Sequence, residues 1–337
     1  MLSFPPRAEA RCLSRNMMTQ KIAQQAPVPI HLAGKRADQA AAELFTDFSR
    51  AKLQQWLKEG ALLRNGTPLK PKDKVMAGDL LVIEAQQEIQ TRDVPQQIAL
   101  DVVHEDDSLL VINKEAGMVV HPAAGHADGT LLNALLYHCP QLEDLPRAGI
   151  VHRLDKDTSG LMVVAKTLQA QTSLVAQLQD RSMGREYDAV VLGALISGGT
   201  VNAPIGRHPK DRQRQAVVVS GGKPAVTHYR VVERYRAHTH VRCQLETGRT
   251  HQIRVHLSHL KHPLVGDPQY GGRLKLPAGA SEELKQFLRA FPRQALHARS
   301  LKLLHPEHQQ PQQWQAPMPE DMQLLLALLA EDTREAR

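Results

Sequence analysis

The strongest restriction on the fold of this chain is an uninterrupted apolar run at residues 161–165, Leu-Met-Val-Val-Ala, directly after a densely charged loop. Five apolar residues without polar alternation are typical of a buried strand in a sheet. The preceding Thr158-Ser159-Gly160 predicts a turn into that strand. A loop held rigidly beside a core strand is a favourable position for a reactive group, so residues 149–160 form the first candidate site.

This loop carries two carboxylates, Asp155 and Asp157, among the cations Arg153 and Lys156. Nearby cations favour ionised carboxylates, which suits a nucleophile better than a general acid. The alternative interpretation is that both carboxylates only cap the turn and pair with the cations. The charge pattern by itself leaves both interpretations open.

The chain from residue 98 onward predicts one larger domain in which strands outnumber helices. Strands are expected at residues 102–103, 109–112, 161–165, 187–192, 215–219, 226–232 and 241–245. Helices are expected at residues 130–138, 168–183 and 322–329, and the last of these is expected to dock on the core. Because strands and helices do not alternate regularly, the sequence predicts an α+β fold with a mixed sheet.

A smaller module is expected at residues 28–86. Ser49 can cap a helix that runs to Glu59 and carries one apolar face, formed by Leu53, Trp56 and Leu57. The dipeptide Asn65-Gly66, which follows this helix, is a strong signal for a hairpin. Basic side chains that suit phosphate contacts lie on and beside the helix, namely Arg50, Lys52, Lys58 and Arg64.

The remaining segments set the expected domain limits. Residues 1–27 lack structured patterning and are expected to be a disordered leader. Residues 87–97 are polar, contain Pro95 and predict a linker. The larger domain is then expected at residues 98–321, followed by a C-terminal helix and tail at residues 322–337.

Composition points towards a nucleic-acid partner and away from cofactor chemistry. Lys and Arg number 42 against 35 Asp and Glu, so the net charge of +7 favours a polyanionic partner. The sequence contains no P-loop, no dinucleotide-binding glycine motif and no short zinc motif, and its three cysteines lie far apart. No apolar run reaches the roughly 18 residues needed to span a bilayer. Any chemistry is therefore expected to depend on side chains alone, in a reducing compartment.

The module at 28–86 resembles the S4 RNA-binding domain, through the Ser49-Arg50 start of its helix, the Asn65-Gly66 turn and the Gly78-Asp79 turn. That resemblance implies that the module grips structured RNA. The larger domain resembles the RluA-type pseudouridine synthases in the segments His152-Arg153-Leu154-Asp155 and Arg185-Glu186-Tyr187 and at residues 245–256. It implies the pseudouridine synthase fold, with a mainly antiparallel sheet.

The second resemblance also implies a role for individual residues. Asp155 corresponds to the catalytic residue of the family, and Arg153 to the residue that helps displace the target base from its stack. Tyr187 corresponds to a tyrosine that lines the pocket and stacks on the uracil ring. Ile253 occupies an apolar pocket position, and Arg254 corresponds to the arginine that pairs with the catalytic carboxylate.

Ile253 and Arg254 are expected on a helix. Thr250 can cap this helix, and its polar face is expected to carry His251, Arg254 and Ser258. The apolar face is expected to carry Ile253, Leu257 and Leu260.

The implied reaction isomerises uridine by breaking the C1′–N1 bond, rotating the uracil and rejoining it through C5. It needs no cofactor, nucleotide or metal. The implied partner is ribosomal RNA, at a stem-loop of the large subunit, for a cytoplasmic monomer with no membrane partner. Two other functions stay open from the residues alone, namely a non-catalytic RNA-binding protein and a hydrolase that uses Asp155 against a glycosidic bond.

Overall fold

The structure, a computed structural model, describes residues 19–46, 48, 50–88, 93–123, 125–211 and 213–336. The chain divides into two compact units, with the division between Arg92 and Asp93. The expected leader up to residue 18 and the expected helix cap Ser49 lie outside the described residues. Within the described ranges, no helix is long and apolar enough to cross a membrane.

The N-terminal unit packs two helices against a four-stranded antiparallel sheet. Its elements are β1 (Thr19–Pro27), α1 (Ala37–Leu44), α2 (Arg50–Glu59), β2 (Leu62–Arg64), β3 (Thr67–Pro68) and β4 (Leu80–Glu88), with sheet order β1-β4-β2-β3. Leu53, Trp56 and Leu57 are buried, which confirms the apolar face predicted for α2. Asn65 and Gly66 both have positive φ, as a tight two-residue hairpin requires.

The first strand corrects the expectation that residues 1–27 form a disordered leader. β1 pairs with β4 along its whole length. Its sequence is mostly polar, and Ile22 and Ala26 pack only partly buried against the core. β1 is stabilised by backbone hydrogen bonds to a strand that is distant in sequence, and the local hydrophobic pattern does not predict such pairing. The same pairing extends β4 to Glu88, past the expected start of the linker.

The second unit is built on a nine-stranded sheet with helices on both faces. Its strands are β5 (Val102–Glu105), β6 (Leu109–Lys114), β7 (Ser159–Ala165), β8 (Gly184–Leu192), β9 (Gly199–Asn202), β10 (Ile205–Arg207), β11 (Gln215–Val217), β12 (Val226–Arg234), β13 (His238–Leu245), β14 (Leu296–Leu304) and β15 (Pro311–Gln315). Its helices are α3 (Leu131–His138), α4 (Leu168–Gln179), α5 (Gln252–His259), α6 (Glu282–Ala290) and α7 (Glu320–Glu335).

The sheet has the order β5-β6-β7-β14-β8-β13-β12-β9, β15 pairs with β14, and β10 and β11 form a separate hairpin. Among the described strand pairs of this sheet, β7 and β14 run parallel and the others are antiparallel. Helices α3 and α5 pack on one face, and α4, α6 and α7 on the other. The α+β fold class is therefore confirmed. Every residue of β7 is buried, as the apolar run at 161–165 predicts.

Helix ends differ from the predicted ones where the backbone turns sharply. α4 ends at Gln179 rather than at Met183, and Arg181 just beyond it has a left-handed φ of 68° that cannot continue a helix. α7 begins at Glu320, so the predicted boundary after residue 321 falls within its first turn.

The second half of the expected linker at 87–97 is bound to the second unit. The Gln96 side-chain oxygen accepts the Gly129 N–H at 2.7 Å, and the Asn133 amide donates to the Val94 carbonyl at 2.9 Å. The segment around Val94 and Gln96 is therefore held on α3 and on the turn before it. Residues 89–92 lie outside the described part of the chain.

Candidate active site

The loop that carries Asp155 is anchored at both ends by glycines that touch neighbouring backbone. A Cβ added at Gly149 would lie 1.9 Å from the Ala165 carbonyl oxygen, and one added at Gly160 would lie 2.2 Å from the Ala298 carbonyl oxygen. Both glycines also have positive φ, at 74° and 116°. The loop therefore starts against β7 and ends against β14. Ser159 and Gly160 belong to β7 itself rather than to the predicted turn.

Two buried cations hold consecutive carbonyl groups of this loop. Lys114, which is 2% exposed, donates from Nζ to the Lys156 carbonyl at 2.9 Å and to two further carbonyls, those of Glu115 and Met118. Arg293 donates from Nη1 to the Asp157 carbonyl at 3.2 Å. Burial lowers the pKa of Lys114 to about 8, against the opposing effect of nearby carboxylates, so its ammonium stays charged at neutral pH. The backbone on the C-terminal side of Asp155 is thereby fixed.

The side chain of Asp155 forms an ion pair with Arg254 on α5. Arg254 Nη1 donates to Asp155 Oδ2 at 3.0 Å, and the Asp155 side chain is 16% exposed. Asp267 accepts from Nε and Nη2 of the same guanidinium at 2.7 and 2.9 Å. Burial disfavours the guanidinium charge, but Asp267 and Asp155 offset this and raise the pKa of Arg254. One arginine thus holds the carboxylate in a defined orientation next to open space.

The other Asp155 oxygen faces His251. His251 Nε2 lies 3.8 Å from Asp155 Oδ1, and Nδ1 lies 2.9 Å from the Tyr270 hydroxyl oxygen, which also accepts the Gln215 N–H. A neutral imidazole facing a carboxylate carries its proton on that side, so Tyr270 donates to Nδ1 and Nε2–H points towards Asp155. Burial lowers the pKa of His251 below its usual 6.5 despite Asp155, which keeps the ring neutral at pH 7.

His251 also corrects the prediction that Thr250 caps α5. His251 occupies the cap position with a left-handed φ of 56° and no side-chain cap hydrogen bond. The Gln252 side chain instead accepts from the Arg249 N–H and the Thr247 hydroxyl. The Gln252 side chain, rather than Thr250, therefore holds the turn that precedes α5.

A cavity of about 560 Å³ opens beside Asp155, within the size range of small-molecule pockets. The five predicted site residues of the second unit all line it, namely Arg153, Asp155, Tyr187, Ile253 and Arg254. Tyr187 and Ile253 are buried in its wall, at 6% and 4% exposure, and Arg153 is exposed. Burial raises the pKa of Tyr187, so its phenol keeps its proton at neutral pH. The cavity combines an oriented carboxylate, an aromatic wall and a cation at its opening.

The four basic residues predicted to contact RNA belong to the N-terminal unit. Arg50 and Lys58 are exposed on α2, and Arg50 Nη2 lies 3.4 Å from Asp38 Oδ2. The Lys52 ammonium lies 5.3 Å from the centre of the Trp56 ring. Arg64 donates to the Lys74 carbonyl at 3.0 Å. Their role in RNA binding stays a prediction.

Several residues that shape the site were not predicted from sequence. They are Lys114, His251, Asp267, Tyr270 and Arg293, and each acts on Asp155, its loop or its partner arginine through a contact between distant segments. His251 was expected on the same helix face as Arg254, but its position 3.8 Å from Asp155 was not predicted. Across the described residues, no three His, Cys, Asp or Glu side chains are arranged to hold a metal ion.

The comparisons with known proteins identify the family. The sequence model of the RNA pseudouridylate synthases matches residues 108–259. A relative from Pseudomonas aeruginosa, named ribosomal large subunit pseudouridine synthase D, is 60% identical over 319 residues, which cover 95% of this chain and 99% of the relative. The chain belongs to the RNA pseudouridylate synthase family. It is therefore an isomerase, and the enzyme class implied by the resemblance is confirmed.

Other RNA pseudouridylate synthases agree in sequence and in fold. A relative of the same name from Escherichia coli strain K12 is 53% identical over 319 residues, covering 94% of this chain and 98% of the relative. The solved structure of human RNA pseudouridylate synthase domain-containing protein 4 has a TM-score of 0.54 at 26% identity, covering 68% of this chain and 92% of that one. The solved structure of human RNA pseudouridylate synthase domain-containing protein 1 has a TM-score of 0.52 at 26% identity, covering 69% of this chain and 96% of that one. These matches confirm the pseudouridine synthase fold.

Proposed function

We propose that this enzyme converts uridine to pseudouridine in a stem-loop of large-subunit ribosomal RNA, with Asp155 as its catalytic carboxylate. The observation that carries the proposal is the Asp155–Arg254 ion pair at 3.0 Å, which faces a cavity walled by Tyr187 and Ile253. Support for the substrate comes from the relatives named ribosomal large subunit pseudouridine synthase D, one of which is 60% identical.

The substrate must change conformation before it can react. A uridine within a stem-loop is shielded by its neighbours and has to rotate out of the helix to reach the partly buried Asp155 carboxylate. The cavity of about 560 Å³ has room for a flipped base and its ribose. Arg153 is exposed at this cavity, and we infer that it fills the space that the base vacates. Tyr187 then stacks on the uracil ring, and Ile253 excludes water from the other side.

Asp155 acts on the extruded nucleotide in its ionised form. Three routes are open to it, which are attack on C1′, addition to the uracil ring and removal of a ribose proton. Each breaks the C1′–N1 bond, after which the uracil rotates and C5 bonds to C1′. C5 loses a proton and N1 gains one, so no group leaves and nothing is oxidised. Arg254 keeps the carboxylate oriented throughout, because Asp267 holds the far edge of its guanidinium.

The same proposal has consequences for the cellular compartment, the oligomeric state and the N-terminal unit. A ribosomal substrate implies that the enzyme works in the cytoplasm. Every residue assigned to the site comes from one chain, so the proposal requires only a monomer. The N-terminal unit, with Arg50, Lys52, Lys58 and Arg64, supplies additional phosphate contacts that hold structured RNA.

Mapping of pseudouridines in ribosomal RNA tests the substrate. We expect a strain that lacks the gene to lose pseudouridine at specific large-subunit positions, and expect a plasmid copy of the gene to restore them. The small-subunit RNA of the same strain is the control and should be unchanged. An unaltered large-subunit pattern, or losses confined to transfer RNA, would contradict the proposed substrate.

A further inference from the structure

Arg185 is a buried arginine without a partner in the wall of the active-site cavity. It is 6% exposed, and its Nε is buried without a hydrogen-bond partner. Within the described part of the chain, its guanidinium forms no ion pair either. A buried cation that is neither paired nor hydrogen bonded is unfavourable in a folded protein. Such a side chain is expected where a ligand supplies the missing partner.

The other arginines of the cavity are either paired or exposed. Arg254 is bound by Asp155 and Asp267, and Arg181 Nη1 donates to Glu246 at 2.6 Å. Arg249 Nε donates to the Pro224 carbonyl at 3.0 Å. The two remaining ones, Arg147 and Arg153, are exposed. Arg185 is therefore distinguished by being both deeply buried and unpaired.

The backbone at Gly248 leaves space for this guanidinium. A Cβ added at Gly248 would lie 2.7 Å from Arg185 Nη1, closer than side chains pack. Gly248 does not have a positive φ, so the backbone itself does not require glycine there. The absence of a side chain at Gly248 thus serves the position of Arg185. On β8, Arg185 lies two residues before Tyr187 and on the same face of the sheet.

The charges in the cavity indicate what Arg185 binds. The two carboxylates that line the cavity are already engaged, Asp155 by Arg254 and Glu246 by Arg181 and His228. An uncharged uracil carbonyl would leave the guanidinium charge uncompensated. A phosphodiester carries one negative charge, and its two non-bridging oxygens match the paired donors of a guanidinium.

We propose that Arg185 binds a phosphodiester group flanking the extruded uridine and so positions its ribose against Asp155. This rests on the proposed entry of a flipped nucleotide into the cavity. Arg185 would then be a substrate-binding residue whose charge is compensated only in the RNA complex. The unpaired state in the free enzyme is the cost of that binding role.

RNA with a neutral linkage tests the interaction. A stem-loop containing the mapped uridine is prepared with a methylphosphonate at each flanking phosphate in turn, and rate and affinity are measured. We expect one of the two linkages to weaken turnover or binding by the wild-type enzyme by about 10- to 100-fold, the range for a charge-assisted hydrogen bond. In Arg185→Gln, the unmodified RNA should show that loss, and the same methylphosphonate should cause no further loss.

The melting temperature distinguishes a binding role of Arg185 from a structural one. Arg185→Met removes a buried unpaired charge, so its melting temperature should equal or exceed that of the wild type. Gly248→Ala is the second variant, since it displaces the guanidinium without removing it, and it should lower affinity for the unmodified RNA more than for the methylphosphonate RNA.

The proposal for Arg185 is overturned if neither methylphosphonate affects the wild type, or if Arg185→Gln responds to the modification as the wild type does. A marked drop in melting temperature with equal losses on both RNAs would assign Arg185 a structural role instead. If the wild type binds but does not convert the large-subunit stem-loop, the proposed substrate fails. The affinity comparison still decides the role of Arg185 in that case.

Discussion

Asp267 holds Arg254 by the edge of the guanidinium that faces away from Asp155. It accepts from Nε and Nη2 at 2.7 and 2.9 Å, which leaves Nη1 to donate to Asp155 at 3.0 Å. The Asp267 side chain is fully buried, and it also accepts the backbone N–H groups of Gln269 and Tyr270. The orientation of the Asp155 carboxylate is therefore set by Asp267, which acts through Arg254 and does not itself line the cavity.

Asp267→Asn tests this arrangement. The amide can accept only one of the two guanidinium bonds and carries no charge, so Arg254 should lose its fixed orientation. We expect kcat to fall about 100-fold through misplacement of Asp155, with RNA affinity little changed. The free energy of unfolding should fall by about 3 kcal/mol because a buried ion pair is broken. Single-turnover kinetics and denaturant unfolding measure the two effects. A kcat at the wild-type level would show that Asp267 does not position the site.

His251→Asn tests the second neighbour of Asp155. Asparagine tolerates the left-handed φ of 56° found at this position, so the variant removes the ring without adding backbone strain. We expect kcat to fall about tenfold, because Oδ1 of Asp155 loses the Nε2–H group that faces it. Tyr270→Phe is a second test, since it keeps the ring of His251 but removes the hydroxyl that orients this ring. It should also lower kcat. Unchanged kcat in both variants would contradict the role of His251.

Acid sensitivity is expected from His238. This residue is 1% exposed, and neither ring nitrogen has a partner among the described residues. Burial lowers its pKa from 6.5 to about 4, against the opposing effect of Asp332. Between these two pH values the unfolded chain binds more protons than the folded one, so stability falls as the pH is lowered from 6.5 to 4. At 1.36 kcal/mol for each pH unit, the loss is about 3 kcal/mol.

His238→Phe isolates this contribution. The variant keeps an aromatic ring but cannot be protonated, so its stability should depend less steeply on pH than that of the wild type. Urea unfolding at pH 7 and at pH 4 gives the comparison. An identical loss of stability in wild type and variant would mean that His238 is not responsible for it.

The proposed RNA grip of the N-terminal unit is tested by its salt dependence. For every phosphate that the protein no longer neutralises, the slope of log K against log salt should become shallower by roughly one. Arg50→Gln combined with Lys58→Gln removes two exposed cations of α2, so the slope should decrease by about two. Arg289→Gln on α6 also removes an exposed cation and serves as the control, with no expected change. A slope unaffected by the double variant would contradict RNA binding by this helix.

Elements defined by neighbouring residues could be predicted well. α3 was predicted at residues 130–138 and is found at Leu131–His138, with Thr130 as the cap whose hydroxyl accepts the Asn133 N–H. β7 follows from its apolar run, and the hairpin after Leu62–Arg64 follows from Asn65-Gly66. In each case the energetic cause lies within a few residues, so a local pattern is enough.

Features that depend on distant partners could not be predicted. β1 forms because β4 pairs with its backbone, although five of the nine residues of β1 are polar. Lys114 and Arg293 hold the Asp155 loop by donating to backbone carbonyl groups. Because every residue has a backbone carbonyl, the sequence does not indicate which ones are bound. Arg153, Asp155, Tyr187, Ile253 and Arg254 were predicted to form one site from the resemblance of their motifs to a known family. Their hydrophobic and charge patterns alone do not bring them together. Arg185 stood within such a motif, but only its burial without a partner points to a ligand.

The most direct test of the catalytic assignment measures tritium released from RNA labelled at C5 of uridine. Asp155→Asn keeps an oxygen to accept from Arg254 but loses the negative charge, and Asp157→Asn is its matched control on the same loop. We predict no release above the enzyme-free background for Asp155→Asn, with RNA still bound, and near wild-type release for Asp157→Asn. Tritium release by Asp155→Asn at the wild-type rate would contradict the account.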